Sequence, residues 1–377
     1  MSEIASLLAK LVRIDSVNPD LVPGGAGEGE VAAFVAAWLE RAGLDVELQE
    51  TAPGRPNVIG RVRGTGHGRS LMLNAHMDTV GYAGMTNGLE PRIEGNRLYG
   101  RGAYDMKGSL AAVMLTAARL IENPPAGDVL VTAVTDEEYA SLGTYAIARV
   151  YRADGAIVAE PTDLTLCVAH KGFAWIEIET TGLAAHGSQA DVGIDAITML
   201  APVLEGIQAL GDRLRAQSPH SLLGTGSLHA ATIEGGVGLS TYPDRALLTV
   251  ERRTIPGETE ITVDREFEDI FSSARASWPN FKATYRRTFT RNSYEADQTS
   301  PIARIVGEHA SRLRGSGPEI VGGFGWMDSS ILGDAGIPTV IYGPGGDGAH
   351  ALEEWVNLDD CEHCIDLYAA VAKEFCA

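Results

Sequence analysis

Short apolar runs alternate with helical segments over the first 160 residues, and this alternation constrains the fold more than any other feature of the chain. The segments NVIGRVRG, SLMLNAH, DVLVTAV and GAIVAE are rich in β-branched and other apolar residues. Between them, DMKGSLAAVMLTAARLI has helical spacing, with Asp105 expected at the helix N-cap. Continuous apolar strands between helices predict an α/β domain whose central sheet is mainly parallel and flanked by helices.

The pattern changes near Lys171. From there, GFAWIEIETTG alternates apolar and polar residues, which is typical of an antiparallel strand with one exposed face. The order of the predicted elements, β-α-β-β-α-β, is ferredoxin-like. After the first strand, these elements are a helix at about 191–213, strands at 228–234 and 244–252, a helix at 260–276 and a strand at 281–289.

After about residue 290 the α/β pattern returns, with a helix at 299–314, the strand IPTVIYG and a terminal helix. The ferredoxin-like segment is therefore inserted into the larger domain. We predict a catalytic domain formed by residues 1–170 and 290–377, and an inserted α+β domain formed by residues 171–289. Two domains are also what a length of 377 residues favours.

Composition and charge argue against several classes of protein. With 30 Lys and Arg against 50 Asp and Glu, the formal net charge of −20 disfavours binding to nucleic acid or anionic membranes. No apolar run approaches the roughly 18 residues of a membrane helix. The segment MSEIASLLAKLVRIDSV predicts an amphipathic helix rather than a signal peptide. Four cysteines suggest a reducing compartment, so we expect a cytoplasmic protein without nucleic-acid or membrane partners.

Cys361 and Cys364 form a C-x-x-C motif around His363, which has two interpretations. One is a zinc site. The other is packing, because LDDCEHCIDLYAAVAKEF has the apolar spacing of an amphipathic helix and the chain has no second C-x-x-C. We favour packing.

Residues that commonly bind metals follow the ends of several predicted strands or open the next helix. In an open parallel sheet, ligands bind beyond the carboxyl ends of the strands. Imidazole and carboxylate groups suit zinc, cobalt or manganese, and one carboxylate can bridge two ions. The sequence therefore predicts a metal site at this edge of the sheet. The residues are His76, Asp78, Asp105, Asp136, Glu137, Glu138, Glu160 and His350.

Each of these pieces is ambiguous on its own. An H-x-D pair or an acidic turn such as DEE can simply be solvated. The segment GPGGDG could be a flexible loop or a phosphate cradle. We disfavour phosphate binding because no Lys-Ser/Thr follows the glycines and the dinucleotide fingerprint is absent. The remaining candidates lack such context and are expected to be surface or packing histidines: His67, His170, His220, His229 and His363.

Taken together, seven motifs resemble those of the dinuclear-zinc amidohydrolases, the family of acetylornithine deacetylase, succinyl-diaminopimelate desuccinylase, aminoacylase and glutamate carboxypeptidase. The resemblance covers almost the whole chain, and it is specific for the family but not for the substrate. It implies a zinc-peptidase-like catalytic domain and a ferredoxin-like lid that also forms a homodimer. The motifs, in order, are NAHMDTV, GRGAYDMKGSLAA, TDEEYASLGT, AEPT, LAAHGSQADVGIDAI, RRTIPGE and GAHALEEWV.

The resemblance also implies two divalent ions, zinc or else cobalt or manganese. His76 and Glu160 would bind one ion, Glu138 and His350 would bind the other, and Asp105 would bridge them.

Two further acidic residues have implied roles beside the ions. Asp78 would hydrogen-bond the far nitrogen of His76 and so fix its tautomer. Glu137 would be the general base, taking a proton from a metal-activated water and giving it to the leaving amine.

In the inserted domain, the resemblance implies that His186 stabilises the oxyanion from the partner subunit, although it could also be a plain surface histidine. Arg253 would grip the substrate carboxylate, with Arg252 as the alternative. Two departures leave the substrate pocket open. Ser240 stands where Asn is usual, and Glu251 stands where Asp is usual.

Four residues beside the motifs have open roles. Tyr82, Tyr104 and Trp326 could line an acyl pocket or could be packing aromatics. Asp328, in GWMDSS, is expected to have a supporting role.

The sequence thus predicts an amidohydrolase that cleaves the C–N bond of a small N-acyl amino acid with a free carboxylate, of the deacetylase or aminoacylase type. A dipeptidase or carboxypeptidase of the same family is the alternative. A non-catalytic binding protein on this fold should lack a ligand or the base, whereas all five ligands and Glu137 are present. A phosphate-binding enzyme that uses GPGGDG should be active without a divalent metal.

Overall fold

The computed structural model describes residues 2–317, 319–323 and 325–377. The chain divides into two compact units: the first comprises Met1–Val168, Ala296–Val321 and Met327–Ala377, and the second comprises Ala169–Glu295 and Gly322–Trp326. The segment predicted as the inserted domain, 171–289, lies inside the second unit. Its role as a lid or dimerisation domain stays a prediction.

The helices and strands follow one another along the chain with short connections. The helices are α1 (Glu3–Val12), α2 (Gly29–Arg41), α3 (Gly108–Glu122), α4 (Leu142–Val150), α5 (Ala201–Arg215), α6 (Glu260–Ser277), α7 (Pro301–Arg314), α8 (Ser329–Asp334) and α9 (Leu358–Phe375). The strands are β1 (Asp45–Ala52), β2 (Arg55–Val62), β3 (Leu71–His76), β4 (Arg92–Glu94), β5 (Arg97–Tyr99), β6 (Val129–Val134), β7 (Gly155–Val158), β8 (Leu166–His170), β9 (Gly172–Thr181), β10 (Ser227–Gly235), β11 (Arg245–Thr254), β12 (Ala283–Arg291), β13 (Tyr294–Glu295), β14 (Ile320–Gly323), β15 (Thr339–Ile341), β16 (Gly346–Asp347) and β17 (Trp355–Asn357).

The largest sheet has the strand order β1-β2-β6-β3-β7-β15-β8-β13, with β14 also paired to β8. Its four central strands, β6, β3, β7 and β15, are parallel to one another, whereas the outer pairs are antiparallel. Every residue of β3, β6 and β7 is buried, which explains their continuous apolar sequence. The predicted α/β class with a mainly parallel centre is confirmed. The carboxyl ends of these strands meet at one edge, where the predicted ligands follow.

The second unit contains a four-stranded antiparallel sheet in the order β10-β11-β9-β12. Alternate residues of β9 and β11 point into one apolar core together with α5 and α6. The period-two alternation of β9 therefore reflects one buried face and one exposed face. The β-α-β-β-α-β order matches the prediction.

Two predicted helix starts are wrong. α3 begins at Gly108, and Asp105 lies before it in an irregular turn with φ −116° and ψ 95°, so Asp105 is not the N-cap. α5 begins at Ala201 instead of near 191, because the side chain of Asp195 accepts the N–H groups of Ile197 and Thr198 and starts a short turn there. In the described part of the chain, no helix has the length and apolarity needed to cross a membrane.

Candidate metal centre

The ligand-type side chains predicted from the strand ends converge in the first unit. His76 is the last residue of β3, and Glu160 follows β7, the neighbouring parallel strand. The Nε2 atom of His76 lies 3.0 Å from Asp105 Oδ1 and 3.6 Å from Glu160 Oε1. His76 is almost fully buried. The parallel strands therefore bring residues that are distant in sequence to one edge of the sheet.

The carboxylate of Asp105 lies between two groups of these residues. Its Oδ1 contacts His76, and its Oδ2 is 3.2 Å from Nε2 of His350. The same His350 nitrogen is 3.1 Å from Glu138 Oε2. The structure thus joins all five predicted ligands in one cluster, with a histidine and a second carboxylate on each side of Asp105.

This cluster is suited to hold cations. The Nδ1–H of His76 donates to the main-chain oxygen of Asp78 at 2.9 Å, so the lone pair of the neutral ring at Nε2 points toward the Asp105 carboxylate. Two such acceptors face each other favourably only with positive charge between them. In addition, Oε1 of Glu138 is buried and has no hydrogen-bond partner among the described residues. The groups His76–Asp105–Glu138 and His76–Glu137–Glu160 each place their ligand atoms within 4.8 Å of one another.

The pKa values of these groups show the same demand for positive charge. Burial raises the pKa of Glu160 to about 8, and the nearby charge of Asp105 adds to this effect. Hydrogen bonds with Asp105 and Glu138 raise the pKa of His350 to about 10. For Asp105, burial is outweighed by hydrogen bonds from His350 and His76, which hold its pKa below the usual range. The donor set of imidazole nitrogens and carboxylate oxygens fits divalent zinc, cobalt or manganese.

Asp78 makes different contacts from those the sequence implies. Its main-chain oxygen, not its carboxylate, accepts the His76 Nδ1–H, and the carboxylate lies 3.6 Å from that nitrogen. The carboxylate instead accepts the main-chain N–H groups of Glu137 at 3.1 Å and Glu138 at 3.2 Å. Asp78 therefore connects the end of β3 to the turn that carries both glutamates.

Glu137 lies beside the same cluster. One of its carboxylate oxygens is within 4.8 Å of a ring nitrogen of His76 and an oxygen of Glu160. Burial raises the pKa of Glu137 well above its ordinary value, and the charge of Glu160 acts in the same direction. A carboxyl group in this environment can accept a proton and return it near neutral pH.

Glu354 is a residue of this site that the sequence reasoning did not single out. It is buried, and its carboxylate accepts the main-chain N–H groups of Gly102, Tyr104 and Asp105 at 2.9–3.0 Å. The guanidinium of Arg101 donates to the same carboxylate at 2.7 Å. Glu354 thereby fixes the turn that presents Asp105. The signal was present, since Glu354 lies inside the quoted motif GAHALEEWV.

Asp328 is close to the acidic part of the site. It accepts the hydroxyl hydrogen of Thr144 at 2.5 Å and is almost fully buried. Its charge contributes to the raised pKa of Glu137 and Glu160. These contacts agree with a supporting role.

In the second unit, the two neighbouring arginines differ in their surroundings. Arg252 is fully buried and binds the carboxylates of Glu258 and Glu266, each at 2.8–2.9 Å. Arg253 is 33% exposed, pairs through Nε with Glu251 at 2.7 Å and lies over the ring of Phe173. Arg252 is thus committed to the fold, which leaves Arg253 as the arginine that can meet a ligand.

His186 is on an exposed loop of the second unit. Its Nδ1 is 2.8 Å from the hydroxyl of Ser188, and the residue pairs in a short antiparallel bridge with Thr241. The main-chain oxygen of Ser240 accepts the Gly187 N–H at 2.7 Å. The structure therefore brings Ser240 next to the His186 loop, and the roles of both stay predictions.

The three aromatic candidates make packing contacts. The ring of Tyr104 lies against Gly346, and that of Tyr82 lies against Gly88. Trp326, in the second unit, donates its indole N–H to a main-chain oxygen at 3.0 Å. Their proposed part in an acyl pocket stays a prediction.

Both cysteines of the C-x-x-C motif are buried in α9. Burial raises the pKa of each thiol. Among the described residues, neither cysteine belongs to a group with metal-ligand spacing. These observations agree with packing.

Comparison with known proteins follows from this geometry. The sequence profile of Peptidase family M20/M25/M40 matches residues 72–374. The chain belongs to this family. It is 30% identical to acetylornithine deacetylase of Myxococcus xanthus, over 91% of each chain. It is 28% identical to N-formyl-4-amino-5-aminomethyl-2-methylpyrimidine deformylase of Bacillus subtilis, over 95% of this chain and 91% of the relative.

Among solved structures, the chain is similar to a dinuclear metal-binding M20 peptidase of Bacillus subtilis. The TM-score is 0.76 at 16% identity, with 99% of this chain and 97% of the other covered. The predicted family and the predicted class, a metal-dependent amidohydrolase or peptidase, are confirmed. The M20 member described here is therefore a metal-dependent hydrolase of C–N bonds, acting on small acyl or peptide substrates.

Proposed function

We propose that this M20 enzyme hydrolyses the amide bond of an N-acyl amino acid and releases a carboxylate and a free amine. The observation that carries the proposal is the position of Asp105, with one oxygen 3.0 Å from His76 and the other 3.2 Å from His350. Similarity to acetylornithine deacetylase over 91% of each chain favours an N-acyl amino acid within the family.

The residues that would hold two divalent ions are those of the cluster. His76 and Glu160 would hold one, Glu138 and His350 the other, and Asp105 would lie between them; zinc is the first choice, with cobalt or manganese as alternatives. When bound, such ions supply Lewis acidity, which acidifies water and withdraws electrons from the amide carbonyl.

Glu137 moves the proton in the proposed reaction. Its carboxylate takes a proton from the attacking water and delivers it to the amide nitrogen as the C–N bond breaks. The raised pKa of this buried group favours holding the proton between the two transfers. Its main-chain N–H is anchored by Asp78, so its position does not depend on substrate.

Two residues of the second unit complete the proposal. Arg253 binds the free carboxylate of the substrate, since its Nε alone is used by Glu251 among the printed hydrogen bonds and a guanidinium can bind a carboxylate with two donors. His186 stabilises negative charge on the carbonyl oxygen and is contributed by the partner in a homodimer. Ser240, beside the His186 loop, contacts the substrate.

One experiment tests the proposal and separates it from the peptidase alternative. The purified protein is analysed for bound metal, stripped with a chelator and reloaded with zinc, cobalt or manganese. Each form is assayed on N-acetyl amino acids, on the same compounds with a carboxamide in place of the carboxylate, and on dipeptides.

We expect activity on N-acetyl amino acids to disappear on stripping and to return with about two ions per chain. The carboxamides should react poorly. Undiminished activity of the metal-free protein would rule out the mechanism, and preference for dipeptides would assign the enzyme to the peptidases.

A further inference from the structure

Asn18 is the centre of a buried hydrogen-bond network beside the metal centre. Its side-chain NH₂ donates to Asp78 Oδ2 at 2.8 Å and to Asp136 Oδ1 at 2.9 Å. All three side chains are fully buried. The amide therefore joins two carboxylates that would otherwise repel each other in a low-dielectric interior.

These two carboxylates hold the turn that carries Glu137 and Glu138. Asp78 accepts the main-chain N–H groups of both glutamates. Asp136 has φ +68°, a left-handed conformation that a residue with a side chain adopts at a cost. Its Oδ2 accepts the N–H groups of Ala140 and Leu142 at 3.2 and 3.3 Å, which closes the turn.

Asp136 is also held from a second side. Arg55 donates to its Oδ1 at 3.0 Å, and Glu28 accepts its main-chain N–H at 3.0 Å. Arg55 and Glu28 are themselves joined by two hydrogen bonds of 2.6 and 2.7 Å. The turn is therefore fixed by a network that starts in the first 55 residues.

The chemistry at position 18 calls for an amide. The side-chain oxygen of Asn18 accepts the N–H groups of Asp20 and Leu21 at 2.9 and 3.2 Å, while the nitrogen serves the two carboxylates. A carboxylate here lacks the two donors, and a hydroxyl has only one. The main-chain N–H of Asn18 is bonded to the oxygen of Thr79, next to Asp78.

We propose that Asn18 is a positioning residue for the hydrolysis. By joining Asp78 to Asp136, it holds Glu137 where it can transfer protons and Glu138 where it can bind an ion. This role deepens the proposed function and rests on it. Asn18 itself touches neither substrate nor ion.

The test compares two variants of this residue with a matched control. Asn18→Ala removes the amide, and Asn18→Ser keeps an oxygen that can accept the Asp20 N–H. Asn57→Ala is the control, because Asn57 is equally buried and bonds to Thr135 and Gly143 but to neither carboxylate. For each protein we measure thermal unfolding of the metal-free form, the dissociation constants for Zn²⁺ and Co²⁺, the visible spectrum of the Co²⁺ form, and kcat and KM.

We expect the Asn18 variants to bind metal about 10-fold more weakly, the size typical of losing an outer hydrogen-bond partner. Their Co²⁺ spectrum should shift, and kcat should fall about 10-fold with KM little changed. Asn57→Ala should lower the unfolding temperature but leave the metal constants and the spectrum unchanged.

Wild-type metal constants and spectrum in folded Asn18→Ser would overturn the inference, as would an equal loss of metal affinity in Asn57→Ala. If Asn18→Ala does not fold, Asn18→Ser decides alone. Failure of the proposed function is seen separately, because the unaltered protein would then neither bind divalent metal nor hydrolyse N-acyl amino acids, and the inference would fall with it.

Discussion

The residues of the metal centre and the candidate residues of the second unit are held in different ways. His76, Asp105 and Glu138 are buried or nearly so, and hydrogen bonds to neighbours fix the backbone that carries them. His186 is exposed, with a side-chain contact only two residues away, and Arg253 is one-third exposed. The first set is preassembled by the fold of its unit. The second set is free to be ordered by a substrate or a second subunit.

Glu137→Gln breaks the first set at its one mobile proton. The amide has a similar shape but cannot accept and return a proton, so we expect kcat to fall by roughly 10²–10⁴-fold. Because the ligands are untouched, bound metal should stay at the wild-type level. Turnover and metal content are measured on the same preparation, and near-normal turnover would remove Glu137 as the base.

His186→Ala probes the exposed set. We expect kcat to fall about 10²-fold, the typical size for one lost donor to an oxyanion. Metal content and unfolding temperature should match those of the unaltered protein, since the side chain packs against little. An unchanged kcat would reduce His186 to a surface residue.

The two arginines sharpen the comparison within the second unit. Arg253→Ala should raise KM for N-acyl amino acids by about 10–100-fold, the loss of one charged hydrogen-bonding partner, with little effect on unfolding. Arg252→Ala should instead destabilise the fold by about 3–5 kcal/mol, because it leaves Glu258 and Glu266 buried without their partner. Steady-state kinetics and denaturant unfolding separate the two effects, and the reverse pattern would exchange the roles.

The smallest effect is expected at the C-x-x-C motif. Burial raises the pKa of Cys361 and Cys364, so neither thiol should react with a disulfide reagent while the protein is folded. Both should react after denaturation. Cys361→Ala should keep the full metal content, and loss of an ion in this variant would restore the zinc interpretation.

Much of the metal centre could be predicted because it depends on local patterns. A strand buried on both faces is apolar throughout, and its end is marked by the first polar residues. His76, Glu160 and the pair Glu137–Glu138 are visible in this way. Glu354 was overlooked because its four donors come from Arg101 to Asp105, about 250 residues earlier.

The sequence by itself determined the α/β class, the ferredoxin-like order of the second unit and the identity of the cluster, since hydrophobic periodicity and motif spacing are properties of neighbouring residues. Tertiary structure alone decided which atoms meet. It gave the Asp78 carboxylate to the N–H groups of Glu137 and Glu138, placed Asp105 before the helix, buried Arg252 and left Arg253 partly exposed. The physical reason is that a buried polar group must find partners wherever the fold brings them, and those partners can lie anywhere along the chain.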